Sequence, residues 1–200
     1  MSAEEPEPYI VEWPSDEETR SAFEAYTLAV GKVAHAWNYL HERLARLFCV
    51  VVRAEDPAIS LAIWYSTTNE RTQRDMLKAA FDASNAERWK PFPAAADDFD
   101  WLLDKLNTLA GIRNNAIHAP CSLYIGGGDA GSLEMGASFF QGHPRAKELQ
   151  GRRILTELAW CEDYAENLTR FVAKLESAIA STAGYPWPSR PPLPSRPSKP

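Results

Sequence analysis

The chain has 200 residues, of which 45% are apolar, and it contains no run of 18 consecutive apolar residues. One domain with a hydrophobic core and no membrane span is therefore expected. The net charge of −6 is uneven: residues 1–18 hold seven acids and no base, and the last sixteen hold three bases and no acid. The remaining body is close to neutral, which argues against broad binding to duplex nucleic acid. Residues 1–14 are acidic and interrupted by proline, so we expect a disordered N-terminus with no signal peptide. Three widely spaced cysteines without a CxxC pair favour a cytoplasmic protein with reduced thiols.

The first predicted helix begins after Ser15, because Ser15 and Glu18 have the spacing of a capping box. Apolar and aromatic residues then recur every three or four positions, so one face of a long helix should pack against a single surface. That face comprises Phe23, Tyr26, Val30, Val33, Trp37, Leu40, Leu44, Leu47 and Val51. Such a helix suits a bundle or the seam of a dimer.

Three shorter helices are predicted next. The first covers about residues 57–66 and opens with proline, and the second lies near 69–84. Acidic residues at 97 and 98 favour the start of the third. This third helix should end at about His118, since Pro120 disfavours helix at the residue before it.

Residues 119–151 interrupt the helical pattern. The apolar segments 121–125 and 133–140 flank the glycine-rich sequence GGGDAG. A bare loop of this length is unusual in a compact domain, so we expect a β-hairpin or another ordered insertion.

A last helix is predicted over about residues 152–183, with Gly184 at its C-terminal stop. Its apolar stripe comprises Leu155, Leu158, Cys161, Ala165, Leu168, Val172, Leu175 and Ile179. Residues 185–200 hold seven of the fifteen prolines, so we expect an extended or disordered, proline-rich tail. The predicted fold is therefore all-α: a bundle of about five helices over residues 15–184, with a hairpin-like insertion before the last helix.

The most reactive groups lie at the end of the third short helix, in the sequence Arg113-Asn114-Asn115-Ala116-Ile117-His118. In RNA self-cleavage, a 2′-oxygen attacks the adjacent phosphorus, and histidine suits both the general base and the general acid. A guanidinium stabilises charge on the phosphate oxygens, and an asparagine amide can orient a hydroxyl or a phosphate oxygen. We therefore expect Arg113, Asn114 and His118 to be catalytic, with no metal and no cofactor.

Helical geometry constrains this site. Arg113 and His118 are five residues apart, so on an ideal helix they point about 140° apart with an axial offset of about 7.5 Å. Either the last turn unwinds, or a second chain completes the site across a two-fold axis.

The motif resembles that of the HEPN domain (higher eukaryotes and prokaryotes nucleotide-binding), with Arg113, Asn114 and His118 at the matching positions. The preceding segments AWNYLHERLARLF and NERTQRDMLKAAF also look similar, so the resemblance covers about residues 20–180. It implies a dimeric all-α bundle, and many members are metal-independent ribonucleases that act as toxins or defence proteins.

The resulting hypothesis is a metal-independent endoribonuclease for single-stranded RNA, acting as a homodimer, with an antitoxin or another protein as a further partner. Glu42 is a candidate for orienting His118 or Arg113; the alternative is a solvated position beside the apolar stripe. Two other functions stay open. One is a non-catalytic HEPN-like dimer that binds RNA, a nucleotide or a protein, and the other is a helical scaffold whose partner docks on the tail or the insertion.

Overall fold

The computed structural model describes residues 15–125, 133–138, 142–181 and 184–199. Within these ranges the chain forms an all-α bundle with a two-stranded sheet before the last helix, as predicted. The elements are α1 (Asp16–Val52), α2 (Pro57–Trp64), α3 (Glu70–Ala83), a 3₁₀ turn (Ala86–Trp89), α4 (Ala95–His118), β1 (Cys121–Ile125), β2 (Leu133–Ala137), α5 (Pro144–Glu148) and α6 (Ile154–Ala180). In this part of the chain no helix is long and apolar enough to cross a membrane.

The predicted start of α1 is confirmed. The Ser15 hydroxyl accepts a hydrogen bond from the Glu18 N–H (3.2 Å), and the Glu18 carboxylate accepts one from the Ser15 N–H (2.9 Å). The predicted end of α4 is also confirmed, because helical structure continues through His118 and the Ala119 N–H donates to the Asn115 carbonyl (3.1 Å).

Two helix ends differ from the sequence prediction. α2 stops at Trp64 rather than at residue 66. α6 stops at Ala180, and the next residue, Ser181, is extended. Gly184 has a φ of +75° but lies beyond this end, so it does not terminate the helix as predicted.

The four longer helices surround one core. α1 and α6 run parallel and make the most extensive contact between two helices. The Arg43–Glu176 ion pair (2.7 Å) joins them near their C-termini. α4 runs antiparallel to both. Trp101, near the start of α4, contacts Phe171 in the C-terminal half of α6, whereas Arg113, near the end of α4, contacts Trp37 in the middle of α1. α3 packs across α1 and α4.

The predicted stripe of α1 is buried from Val33 onward, but its first member, Phe23, is 56% exposed. The predicted stripe of α6 is mostly buried as well, apart from Leu155, which is exposed. α6 buries a second set of large side chains that the prediction omitted, namely Trp160, Tyr164 and Phe171. Both sides of α6 are therefore covered.

The insertion contains the expected hairpin. β1 and β2 are antiparallel, with Cys121 opposite Ala137 and Ile125 opposite Leu133. β2 is shorter than predicted because it ends at Ala137, and the glycine-rich tip lies outside the described residues, as do Phe140 and the N-terminal residues 1–14. A further short helix, α5, was not predicted.

The proline-rich tail differs most from expectation. Residues 184–199 contain no helix or strand, as predicted, but the tail is held against the bundle rather than free in solvent. Trp187 and Leu193 pack against the core, and Arg190 and Arg196 form ion pairs with Asp98 and Glu157. This tail covers the second side of α6.

Candidate functional site

The last two turns of α4 carry the predicted catalytic residues. Arg113 and Asn114 are half-buried, and Nη1 of Arg113 donates a hydrogen bond to Oδ1 of Asn114 (2.9 Å). His118 is exposed at the end of the helix. The structure therefore joins the arginine to the asparagine through a direct contact and leaves the imidazole open to solvent.

Trp37 of α1 supports the arginine. The guanidinium carbon of Arg113 lies 5.1 Å from the centre of the Trp37 ring, which is within the range of a cation–π interaction. Trp37 is only 1% exposed, and its Nε1 donates to Oε1 of Glu70 on α3 (2.7 Å). The ring is thus fixed by packing and by a charge-assisted hydrogen bond, so it forms a rigid platform for Arg113.

The charge of Arg113 has no acidic partner within the described ranges. Its hydrogen bond goes to a neutral amide, and no carboxylate forms an ion pair with it there. In addition, Nε of Arg113 is buried and has no hydrogen-bond partner in this part of the chain. The Nε atoms of Arg43, Arg88 and Arg152 are buried there without a hydrogen-bond partner as well, so this donor does not distinguish Arg113. The absent carboxylate distinguishes it from Arg43 and Arg152, which form ion pairs.

Two more basic side chains lie around Trp37. The His41 ring centre is 4.8 Å from that of Trp37, and both ring nitrogens are buried. Arg74, 6% exposed, donates from Nε to Oδ1 of Asn107 (2.9 Å), while its Nη1 has no partner in those ranges.

Burial governs the titration of both groups. It lowers the pKa of His41; the Glu70 charge and the Gln73 side chain oppose this shift, whereas the Arg74 and Arg113 charges add to it. Burial likewise lowers the pKa of Arg74. The charges of Glu70 and Asp75 oppose the shift of Arg74, and that of Arg71 adds to it.

The geometry decides between the two ways of completing the site. Because α4 remains helical through His118, the last turn does not unwind. On a regular helix Arg113 and His118 point about 140° apart, so the backbone does not bring them onto one face of α4. Within the described ranges no side chain forms a hydrogen bond with the His118 imidazole.

Other candidates lie elsewhere. The structure places Glu42 in an exposed ion pair with Arg46, one turn along α1 (2.8 Å), and shows no contact between Glu42 and Arg113 or His118. The residue before it, His41, is the one that reaches the Trp37 platform. No group of three or more His, Cys, Asp or Glu side chains in the described ranges is arranged to hold a metal ion.

The helical spacing assigns Trp37 to the apolar stripe of α1 and does not identify its contact with Arg113. The stripe explains the burial of the ring, but it gives no sign that Arg113 lies against it. A signal was available in the segments AWNYLHERLARLF and NERTQRDMLKAAF, since these carry Trp37, Glu70 and Arg74.

No protein-family model matches the chain, and comparison with curated proteins and with solved structures gives no significant match. The chemistry at the C-terminal end of α4 is therefore the basis for inferring a function.

Proposed function

We propose that the protein is a metal-independent, HEPN-type endoribonuclease that cleaves single-stranded RNA. The observation that carries the proposal is the state of Arg113. Its guanidinium rests on Trp37 and bonds to the Asn114 amide rather than to a carboxylate, so its charge stays available for a phosphate. An exposed histidine, His118, lies on the same short segment of α4.

Each group has a role in the proposed reaction. One His118 imidazole removes the proton from the ribose 2′-hydroxyl, and the 2′-oxygen attacks phosphorus as the bond to the 5′-oxygen breaks. An acid protonates the leaving 5′-oxygen, which gives a 2′,3′-cyclic phosphate and a 5′-hydroxyl. Arg113 stabilises the charge on the non-bridging oxygens, and Asn114 orients Arg113.

A second copy of the chain completes the site in this proposal. Within one helix Arg113 and His118 diverge, so the arginine of one protomer would act with the histidine of its partner across a two-fold axis. α1 has apolar surface suited to such a contact, because Leu28 is 62% and Tyr39 49% exposed beside a groove of about 880 Å³ between α1 and α6. A cellular role as a toxin or defence protein, with an antitoxin as partner, belongs to the same proposal.

The direct test is cleavage of single-stranded RNA in excess chelator. We expect His118→Ala and Arg113→Ala each to reduce the rate by about 10²-fold or more, the usual effect of losing a general acid–base group or a transition-state donor. His143→Ala and Arg53→Ala are matched controls, since both residues are exposed and neither lines the groove between α1 and α6. Cleavage that persists in both site variants, or that requires a metal, would contradict the proposal.

Mixing the two inactive variants tests the shared site. If each site takes Arg113 from one protomer and His118 from the other, half of the randomly mixed dimers contain one intact site, which restores about a quarter of the wild-type rate. Failure to restore activity, with both variants dimeric, would show that the two residues act within one chain.

A second function is favoured by the surroundings of His118. Catalytic histidines are commonly oriented by a third group, and none in the described ranges bonds to this imidazole. A non-catalytic dimer would bind RNA through Arg113 without cleaving it. Binding that is lost in Arg113→Ala, without any cleavage by the wild type, would support this function over the nuclease.

A further inference from the structure

The proline-rich tail contacts the bundle at every third residue. Trp187, Arg190, Leu193 and Arg196 all lie against it, whereas Ser189, between two of these contacts, is exposed. A polyproline II helix has three residues per turn, so residues at this spacing share one face. The tail therefore has the periodicity of a polyproline ligand.

The two apolar contacts anchor this face. The Trp187 ring centre lies 4.8 Å from that of Phe92, and Nε1 of Trp187 donates to Oδ2 of Asp98 (2.7 Å). Leu193 packs against the core of the bundle. The hydrophobic effect from burying these two side chains holds the tail on the bundle.

The two arginines meet buried carboxylates. Arg190 pairs through Nε with Asp98, whose side chain is 6% exposed, and its guanidinium carbon lies 5.6 Å from the Trp101 ring centre. Arg196 binds Oε2 of Glu157, which is 1% exposed, through Nε and Nη2, both at 2.8 Å. A buried carboxylate is costly without a cation, so Asp98 selects arginine at position 190. Glu157 pairs with Arg152 of the bundle as well, and its second oxygen accepts from Arg196.

Two side chains of the bundle also bind backbone carbonyls of the tail. Nε1 of Trp160 donates to the Pro194 carbonyl (2.9 Å), and Nη1 of Arg152 donates to that of Pro197 (2.7 Å). Proline-rich chains have free carbonyls because they form no internal hydrogen bonds, and aromatic-lined grooves recognise them in this way.

From these contacts we infer that the groove along α4 and α6 is a peptide-recognition surface for proline-rich segments. Its ligand carries Trp, Arg, Leu and Arg at intervals of three residues. The tail of the chain occupies the groove as an intramolecular ligand, and a proline-rich, arginine-bearing segment of another protein competes with it. Charge selects the partner, because Asp98 forms its ion pair with a tail arginine and Glu157, which also pairs with Arg152 of the bundle, binds a second one. The attached tail has a high effective concentration, so it weakens binding of a separate peptide until the tail itself is weakened.

The test uses a fluorescent peptide with the sequence of residues 184–199 and the full-length chain. We expect the peptide to bind the tail variant Arg190→Ala/Arg196→Ala at least about tenfold more tightly than the wild type, because the intramolecular competitor is weakened. A peptide with alanine at both arginine positions should bind that variant at least about tenfold more weakly, which corresponds to about 1.4 kcal/mol. Adding Asp98→Asn and Glu157→Gln to the tail variant should remove this preference.

Circular dichroism first establishes that each variant is folded. If the double alanine variant is not, Arg190→Lys/Arg196→Lys replaces it, since lysine keeps the charge and loses the hydrogen bonds from Nε. Equal binding of the two peptides, or no binding to a folded tail variant, would overturn the inference. Concentration-dependent dimerisation of the wild type that excess peptide dissolves would assign the groove to a second copy, and would overturn the assignment to another protein.

Discussion

In the described part of the chain three arginines rest on tryptophan rings, namely Arg88, Arg113 and Arg190, and the last two differ in what balances their charge. Arg190 lies over Trp101 and pairs with a buried carboxylate, that of Asp98. Arg113 lies over Trp37 and bonds only to the Asn114 amide among the described residues. The first arrangement resembles a structural ion pair, and the second leaves a positive charge without its counterpart.

The position of Glu70 makes the contrast sharper. This carboxylate is close enough to Trp37 to accept a hydrogen bond from its indole nitrogen, yet it does not pair with Arg113. Glu70 therefore orients the Trp37 ring and leaves the charge of Arg113 without a carboxylate partner among the described residues. A buried ion pair stabilises or specifies a fold, whereas an unpaired cation at a surface is suited to a ligand.

The largest expected effect is at the C-terminal end of the tail. Glu157 is 1% exposed and binds both Arg152 and Arg196, so Glu157→Ala leaves two guanidinium groups without their anion. We expect a loss of about 3–5 kcal/mol in the free energy of unfolding, as for other broken buried pairs. Urea denaturation measures it.

Glu134→Ala is the matched control. Glu134 pairs with Arg153 near the same end of the bundle, but that pair is largely exposed, so its loss should cost less than about 1 kcal/mol. Equal effects of the two substitutions would mean that the tail contacts contribute no more than a surface ion pair.

The second expectation compares the effects of removing Arg190 and Arg113. Arg190→Ala should lower the free energy of unfolding by about 2–3 kcal/mol, because it leaves Asp98 without its cation. Arg113→Ala should cost about 1 kcal/mol, the scale of a cation–π contact, while it abolishes the binding or cleavage of RNA. A larger stability loss for Arg113→Ala than for Arg190→Ala would show that the distinction between a structural and a functional arginine is wrong.

The helices could be predicted because their signals are local. A capping box fixed the start of α1, a proline fixed the end of α4, and apolar residues at helical spacing identified most of the core. The order of the elements and the hairpin before α6 followed from the same patterns. The end of α6 was misplaced because Gly184, a common stop residue, lies beyond the true end.

The docking of the tail has no local signal of that kind. Its periodicity is three, which matches neither a helix nor a strand, and its arginines are matched by acids 92 and 39 residues away along the chain. Asp98 was therefore interpreted as a helix-start residue, although it is also a partner of the tail. The role of Trp37 was missed for the same reason, since only the packing of α1 against α4 brings it to Arg113.

The smallest expected effect concerns the pH dependence of the Trp37 platform. Burial lowers the pKa of His41 below that of an unfolded histidine, about 6.5. Below that pH the unfolded chain binds more protons than the folded one, so His41 makes the protein less stable as the pH falls through 6.5; above it the contribution is constant. The slope from one group reaches at most about 1.4 kcal/mol per pH unit.

Urea unfolding at pH 7.5, 6.5 and 5.5 should show this loss in the wild type and in His35→Gln, whose histidine is exposed, and a smaller loss in His41→Gln. An undiminished loss in His41→Gln would mean that this imidazole can take up a proton in the folded state despite the two neighbouring guanidinium groups, and that the surroundings of Trp37 do not disfavour positive charge.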